Sequence, residues 1–382
     1  MPNTKLIRSY QTSLSLLMIA SLLASCDQNP AVTIHPTPEN IPEIEDQRFV
    51  LHHEVVDTLR YADPDDYDKI TIGVEEGDAL DMIGSISDLA SDHNGTLYVL
   101  DKAYNHVRAY DYDGNLIGYF GSEGEGPGEF NNPWNVAVID DGNTIIVSSF
   151  SSRHVNLFTR QQSAFSFRSS FAKEGPGAGM CAMNGYIFLI SDIPGVDGIL
   201  HRYTLDGERE VSFGHRYKSS DPFVQGALSY RGNLACNEEH DVLAWIRDYV
   251  PILNGYSSDG DLKWQVRFAD FQPSLVESGL NSEGRARVTY SGPQPGQSMF
   301  FNLFSDSGSS FYVHYVTFYA TTEGGARGKP HMFRFNAMTG MGQEIANAGP
   351  SIPQLVDGEH FVTYATSPYV RITILRPRKG ST

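Results

Sequence analysis

The 382-residue sequence is short of three things. It has only three cysteines, it has 28 lysines and arginines against 46 aspartates and glutamates, and beyond its N-terminus it has no long apolar run. So few cysteines exclude a small disulfide-framed fold. A net charge of −18 excludes nucleic acid as a partner, because phosphate backbones are bound by a dense basic face and no Lys/Arg cluster of that density occurs. No segment keeps a 3.6-residue apolar period over a dozen residues, so no long amphipathic helix is expected. The Gly-x-Ser-x-Gly nucleophile elbow is missing as well. What remains is 40% hydrophobic and rich in glycine (36), tyrosine (20) and phenylalanine (21), a composition that suits a turn-rich, globular β protein.

The one apolar run, LSLLMIASLLA at 14–24, follows Lys5 and Arg8 and is too short to span a bilayer as a stable helix. It ends in Leu23-Ala24-Ser25-Cys26, which resembles the lipobox of bacterial lipoproteins, where the cysteine receives the lipid. The expectation is a signal peptide over 1–25, lipidation at Cys26, and a place in the bacterial cell envelope, periplasmic or at the surface, with the membrane a partner through the lipid only. Residues 26–46 are rich in proline and acid, and read as a flexible tether ahead of a folded domain over 47–380. Cys181 and Cys236 remain. An exported protein permits a disulfide between them, and their apolar surroundings equally suit two buried thiols.

A period runs along the domain. Short apolar β-runs begin at Leu97, Ile145, Ile187, Val242, Phe311 and His360, spaced 48, 42, 55, 69 and 49 residues apart, and the long fourth spacing implies an insertion within about 269–303. Most runs follow a tight-turn pair such as Asn94-Gly95, Asn184-Gly185 or Asp357-Gly358, and the fourth has NEEHD (237–241) instead. A second strand ending in an aromatic comes next, then often an Asp-Gly turn and a further strand. Six such units predict an all-β fold, a six-bladed β-propeller of four-stranded blades. Residues 48–60 and 69–74 read as strands ahead of the first unit and are expected to close the ring by pairing with the C-terminal blade.

Residues 105–158 carry Asn-His, Asp-Gly, Gly-x-Gly-x-Gly-Pro-Gly-x-Phe and Pro elements in order. This resembles NHL-type repeats and, with the anchor, the six-bladed β-propeller lipoproteins of Bacteroidetes-like bacteria. The resemblance is specific over about 86–180. It implies the propeller fold and no particular activity.

The unit fixes where a site would lie. Turns 1–2 and 3–4 occupy one face, and loops 2–3 and 4–1 occupy the other, which is the candidate binding surface. Its candidate residues are Asp101, Asn105, His106, Glu129, Trp134, Arg153, His154, Asp192, Tyr249 and His331. Phe130, Trp134 and Tyr249 are aromatics that can stack on a sugar or peptide or pack between blades. His106, His154 and His331 each lie four residues before an aligned aromatic. They are either zinc ligands or the repeat's own Asn-His element. No cofactor is expected; zinc and calcium are the ions weighed. Calcium needs six to eight converging oxygens, and the acidic stretch YADPDDYD at 61–68 reads as a solvated loop. The loop GSEGEGPGE at 121–129 carries glutamates and no base, so it repels phosphate and reads as a joint between blades. The first functional expectation is recognition of a glycan, peptide or envelope protein. The alternative is a metal-dependent lyase or hydrolase with a central-channel site.

Overall fold

The computed structural model describes residues 32–34, 47–50, 67–149, 153–175, 177–274, 276–280, 286–290, 294–306, 308–322, 326–345 and 352–378. Cys26 and the expected signal peptide at 1–25 lie outside the described residues. Six antiparallel sheets follow one another around a ring. Blade 1 is built from Ile86–Ser91, Thr96–Asp101, His106–Asp111 and Leu116–Phe120. Blade 2 is Pro133–Ile139, Thr144–Ser149, His154–Gln161 and Ala164–Ala172. Blade 3 is Met180–Met183, Tyr186–Ile190, Leu200–Thr204 and Arg209–Phe213. Blade 4 is Gly232–Asn237, Val242–Arg247, Val250–Tyr256 and Leu262–Phe268. Blade 5 is Ser298–Ser305, Ser310–Ala320, Ala326–Asn336 and Gly342–Glu344. Blade 6 takes Leu355–Asp357, His360–Ala365 and Arg371–Pro377 from the end of the chain and Tyr67–Ile72 from its beginning.

The recurring apolar runs are the second strands of the blades, buried on both sides because each blade is packed between two others. Blades 1 and 2 enclose Tyr98, Phe120, Phe130, Val147 and Phe158, and blades 4 and 5 enclose Trp264, Phe268, Phe300, Phe311 and Phe333. Blades 6 and 1 enclose Val99, Tyr110, Val362, Ile372 and Ile374, so the last gap is filled like the others. Each such side chain contributes roughly 1.5–3 kcal/mol on burial, which a blade standing alone would forgo. The tight turns behave as their residues require. Asn184 (φ 53) and Gly185 (φ 74) both sit in the left-handed region, as a two-residue hairpin needs, and in the fourth copy Asp241 (φ 51) takes the place of the missing glycine.

Five features depart from the sequence expectation or refine it. Tyr67–Ile72 closes blade 6 antiparallel to Arg371–Pro377. Gln47–Val50, from the other segment expected there, instead pairs parallel with Leu262–Phe268 of blade 4. With Tyr67–Ile72 in place blade 6 already has its four strands, whereas the outer strand of blade 4 offers an open edge. Val32–Ile34, within the expected tether, pairs with Val276–Leu280, which forms with Ala286–Tyr290 a hairpin inside the expected insertion. A short helix, Pro222–Ser229, joins blades 3 and 4, capped by Asp221 Oδ1, which accepts from the backbone N–H groups of Phe223 and Val224. Its eight residues are too few for periodicity to show, although Asp-Pro is a sound start signal. Finally, Cys181 and Cys236 form a disulfide between the innermost strands of blades 3 and 4, resolving the two alternatives left open.

Candidate functional site

The innermost strands surround a central channel of about 250 Å³. At its turn-face end, polar side chains pair across blade boundaries. Asp357 of blade 6 accepts hydrogen bonds from Ser91 Oγ (2.6 Å) and Tyr112 OH (2.5 Å) of blade 1 and meets His93 Nδ1 at 2.9 Å. Burial pushes the Asp357 carboxyl up, but these three partners together outweigh it and hold the group at about 2, while the same contact raises His93. Arg160 of blade 2 reaches Asp92, Thr96 and Tyr98 of blade 1, and Asn237 of blade 4 reaches Ser305 and Gly308 of blade 5.

Most of the expected site residues on the opposite face hold the scaffold. Asp101 is fully buried and accepts from the backbone N–H groups of Gly84, Ser85 and Ala103, with Arg108 Nη1 at 3.5 Å. Asn105 (φ 52) and Arg153 (φ 57) supply left-handed turns. His106 is buried against Tyr104, stacked at 5.7 Å, and burial holds its pKa down to about 4. Its neighbour in the ring, His154, begins the third strand of blade 2, and His331 belongs to blade 5, where Nδ1 meets Glu344 Oε1 at 2.7 Å and the ring stacks on Tyr315. His106 and His331 therefore answer to partners in their own blades. Among the described residues no group of three histidine, cysteine, aspartate or glutamate side chains is placed to hold a metal ion.

Glu129 Oε2 accepts from the Gly126 N–H and closes the glycine loop on itself, with Phe130 N donating to Ser122 O at 2.7 Å. Phe130 is completely buried, so it packs between blades rather than stacking on a ligand. Tyr249 is buried as well, with Arg231 over its ring. Trp134 remains 39% exposed, with Lys102 Nζ 5.1 Å from its ring centre. Asp192 is tied to Arg216 through Oδ1 and borders a cavity of about 380 Å³ beside the Pro222–Ser229 helix.

Two groups absent from the sequence expectation stand out at the loop-face end. Asp88 lines the channel. Its Oδ1 accepts from the Leu89 N–H and its Oδ2 from the Val136 N–H of the next blade, both at 2.9 Å. Burial outweighs these bonds and pushes the carboxyl up to about 7, although channel water still reaches its edge. The Asp88 charge in turn helps raise Tyr364, whose pKa is lifted first by its own burial. Beside them, between blades 5 and 6, opens a cavity of about 750 Å³ lined by His314, Gln354, Thr363, Tyr364 and Arg371 among others. Gln354 lines both this cavity and the channel, and accepts through its backbone and side-chain oxygens from Asn302 Nδ2. His314 is 8% exposed, and neither ring nitrogen has a hydrogen-bond partner among the described residues. Burial, aided by His331, lowers its pKa to about 4, so the imidazole is neutral at ordinary pH. No local motif marks these residues, because they come from the first, fifth and sixth units.

No protein-family model matches the sequence, and no curated protein is similar to it. Solved structures do match. A Bacteroides fragilis protein named for its expected export superposes with a TM-score of 0.52 at 10% identity, over 87% of this chain and 99% of that one. A member of the DUF4221 family from Bacteroides vulgatus gives 0.53 at 9% identity, over 81% and 97%. Streptogramin B lyase gives 0.46 at 11% identity, over 82% and 98%, a superposition too loose to support an argument. What is shared is the propeller. At these identities the likeness concerns the fold, and the side chains described above have to speak for the site.

Proposed function

We propose that this chain is an exported propeller, lipid-anchored through Cys26, that binds a glycan, peptide or envelope protein across its 2–3/4–1 face. The observation that carries the reading is the buried, neutral, unpartnered His314 in a cavity of about 750 Å³ on that face. A buried polar group without a partner costs about 1–3 kcal/mol, so folding alone gives no reason to keep it. The disulfide agrees with an oxidising compartment, and the lipobox supplies the anchor. The two solved structures cited above with TM-scores over 0.5 are Bacteroides proteins, one of them named for export, which is in keeping with the same location.

Two experiments test this. Cys26→Ala is expected to release the protein from the membrane fraction, and continued membrane association of the variant would defeat the anchor. Binding of glycan, peptide and envelope-protein pools is expected to weaken on substitution of loop-face residues such as His314 or Trp134, and to survive substitution at turn-face Met338.

The enzymatic alternative has one observation in its favour. A carboxyl poised near pH 7 in the channel, as Asp88 is, suits general acid–base chemistry. Metal analysis of the purified protein, and turnover that vanishes in Asp88→Asn, would establish it.

A further inference from the structure

We infer that the cavity between blades 5 and 6 is the seat of an uncharged saccharide, an inference that rests on the recognition role proposed above. The walls select by charge first. Arg371 is the single charged side chain among the described lining residues, and its Nη1 already donates to Ser367 O at 2.9 Å. No carboxylate is among the described lining residues, so a cationic ligand finds no counter-charge in the wall itself, the nearest charge named above being Asp88 of the adjoining channel. An anionic ligand would meet one committed guanidinium on a chain of net charge −18.

The hydrogen-bonding groups then favour hydroxyls. Thr363, Thr373 and Gln354 offer two hydroxyls and an amide. Neutral His314 offers one N–H donor and one lone-pair acceptor, both without a protein partner. A sugar hydroxyl donates and accepts at the same oxygen, so it suits either nitrogen of such a ring. An aromatic face completes the seat. Tyr364, 38% exposed, lines the cavity and can accept the C–H side of a pyranose, while Phe301, outside the lining, stacks on His314 at 5.7 Å between centroids and braces its ring. The volume lies within the range of pockets that enclose a drug-sized ligand, enough for a short oligosaccharide end. Gly328 keeps one wall thin, since a Cβ there would stand 2.5 Å from Val316 Cγ1.

The test uses the full-length protein in detergent against an array of neutral hexose and N-acetylhexosamine oligosaccharides. Uronate-bearing glycans and an uncharged peptide library are run in parallel. Neutral saccharides are expected to bind. His314→Phe, which keeps the ring and removes both nitrogens, should weaken binding about tenfold or more, and Thr363→Val by about threefold. Ala365→Phe should block entry, and Met338→Ala on the opposite face should change nothing. Unfolding midpoints identify any variant that fails to fold, and Thr363→Val, nearly isosteric, then carries the test. If only uronates or peptides bind, with the same dependence on His314, the saccharide class is wrong and the recognition face stands. Should neutral saccharides bind with all three cavity variants unaffected while Trp134→Ala weakens them, this cavity is the wrong seat and the face again stands. Binding of no probe of any class, with the protein folded, overturns both.

Discussion

On the turn face, Asp357 of blade 6 is buried and gathers Ser91, His93 and Tyr112 of blade 1 around its two oxygens. On the loop face, His314 of blade 5 is equally buried and has neither nitrogen partnered among the described residues. The contrast extends beyond this pair. Ser149, Ser191 and Arg247, which lie at the loop-face ends of the second strands of blades 2, 3 and 4, also carry buried side-chain atoms without hydrogen-bond partners. The large exposed side chains differ as well. Trp134, Phe301, Tyr319 and Tyr364 stand on the loop side, whereas Met338 and Met341 stand on a turn. The turn face commits these groups to holding blades together, whereas the loop face, although braced by Asp101, Glu129 and His331, also carries buried polar atoms that no described residue partners.

The comparison can be broken or sharpened by stability measurements. The largest loss is expected from the wall that both faces share. Replacing Cys181 and Cys236 together by alanine opens a closure across 55 residues, for which chain entropy gives about 4 kcal/mol, read from the urea midpoint and slope. Asp357→Ala should cost about 3 kcal/mol, because it strands two buried hydroxyls and removes the acceptor that joins the last blade to the first. His314→Phe should leave stability unchanged or raise it, by up to about 1–3 kcal/mol, since it removes two buried nitrogens on which nothing in the fold leans. Equal losses from the last two substitutions would abolish the distinction between the faces.

A smaller effect separates the faces by pH. Asp88 has a folded pKa of about 7, above its unfolded value. The native state therefore holds an extra proton between about pH 4 and 7, and stability falls as pH rises through that window. With channel water at its edge, the span is about 1–2 kcal/mol. His93, also raised, contributes stability that is full below its unfolded value near 6.5 and is lost as pH climbs through its folded pKa. Asp357, held at about 2, works the other way, and its contribution is lost as pH falls toward that value. Asp88→Asn should flatten the pH 4–7 slope of the unfolding midpoint, and His93→Gln only the part above about 6.5. If neither substitution alters the slope, the charge assignments at both ends of the channel are wrong.

The ring was legible because each blade repeats the same local chemistry. A positive-φ turn pair, an apolar strand buried on both sides and an aromatic at the end of the next strand recur at intervals a reader can measure. The same regularity misdirected the search for a site. His106, His154 and His331 stand out because they recur, and two of them have clear local work, His106 against Tyr104 and His331 with Glu344. His314 and Asp88 do not recur. Their meaning depends on Gln354, Thr363 and Tyr364 from a different unit, brought near only when the circle closes. Gln47–Val50 escaped for a related reason, since the alternation that marks a strand does not say which of several open edges it will meet.

The pairing of Tyr67–Ile72 with Arg371–Pro377 joins strands some three hundred residues apart. In a chain made from its N-terminus, the segment that latches the circle emerges early and waits for a partner that arrives last. Until then two blade flanks stay uncovered, one at each end of the unfinished arc, offering unpaired backbone to proteases and to other chains. The latch therefore works as an inspection for completeness. A chain that stops before Arg371 carries nearly all of the residues of the circle, yet it has no way to hide its ends.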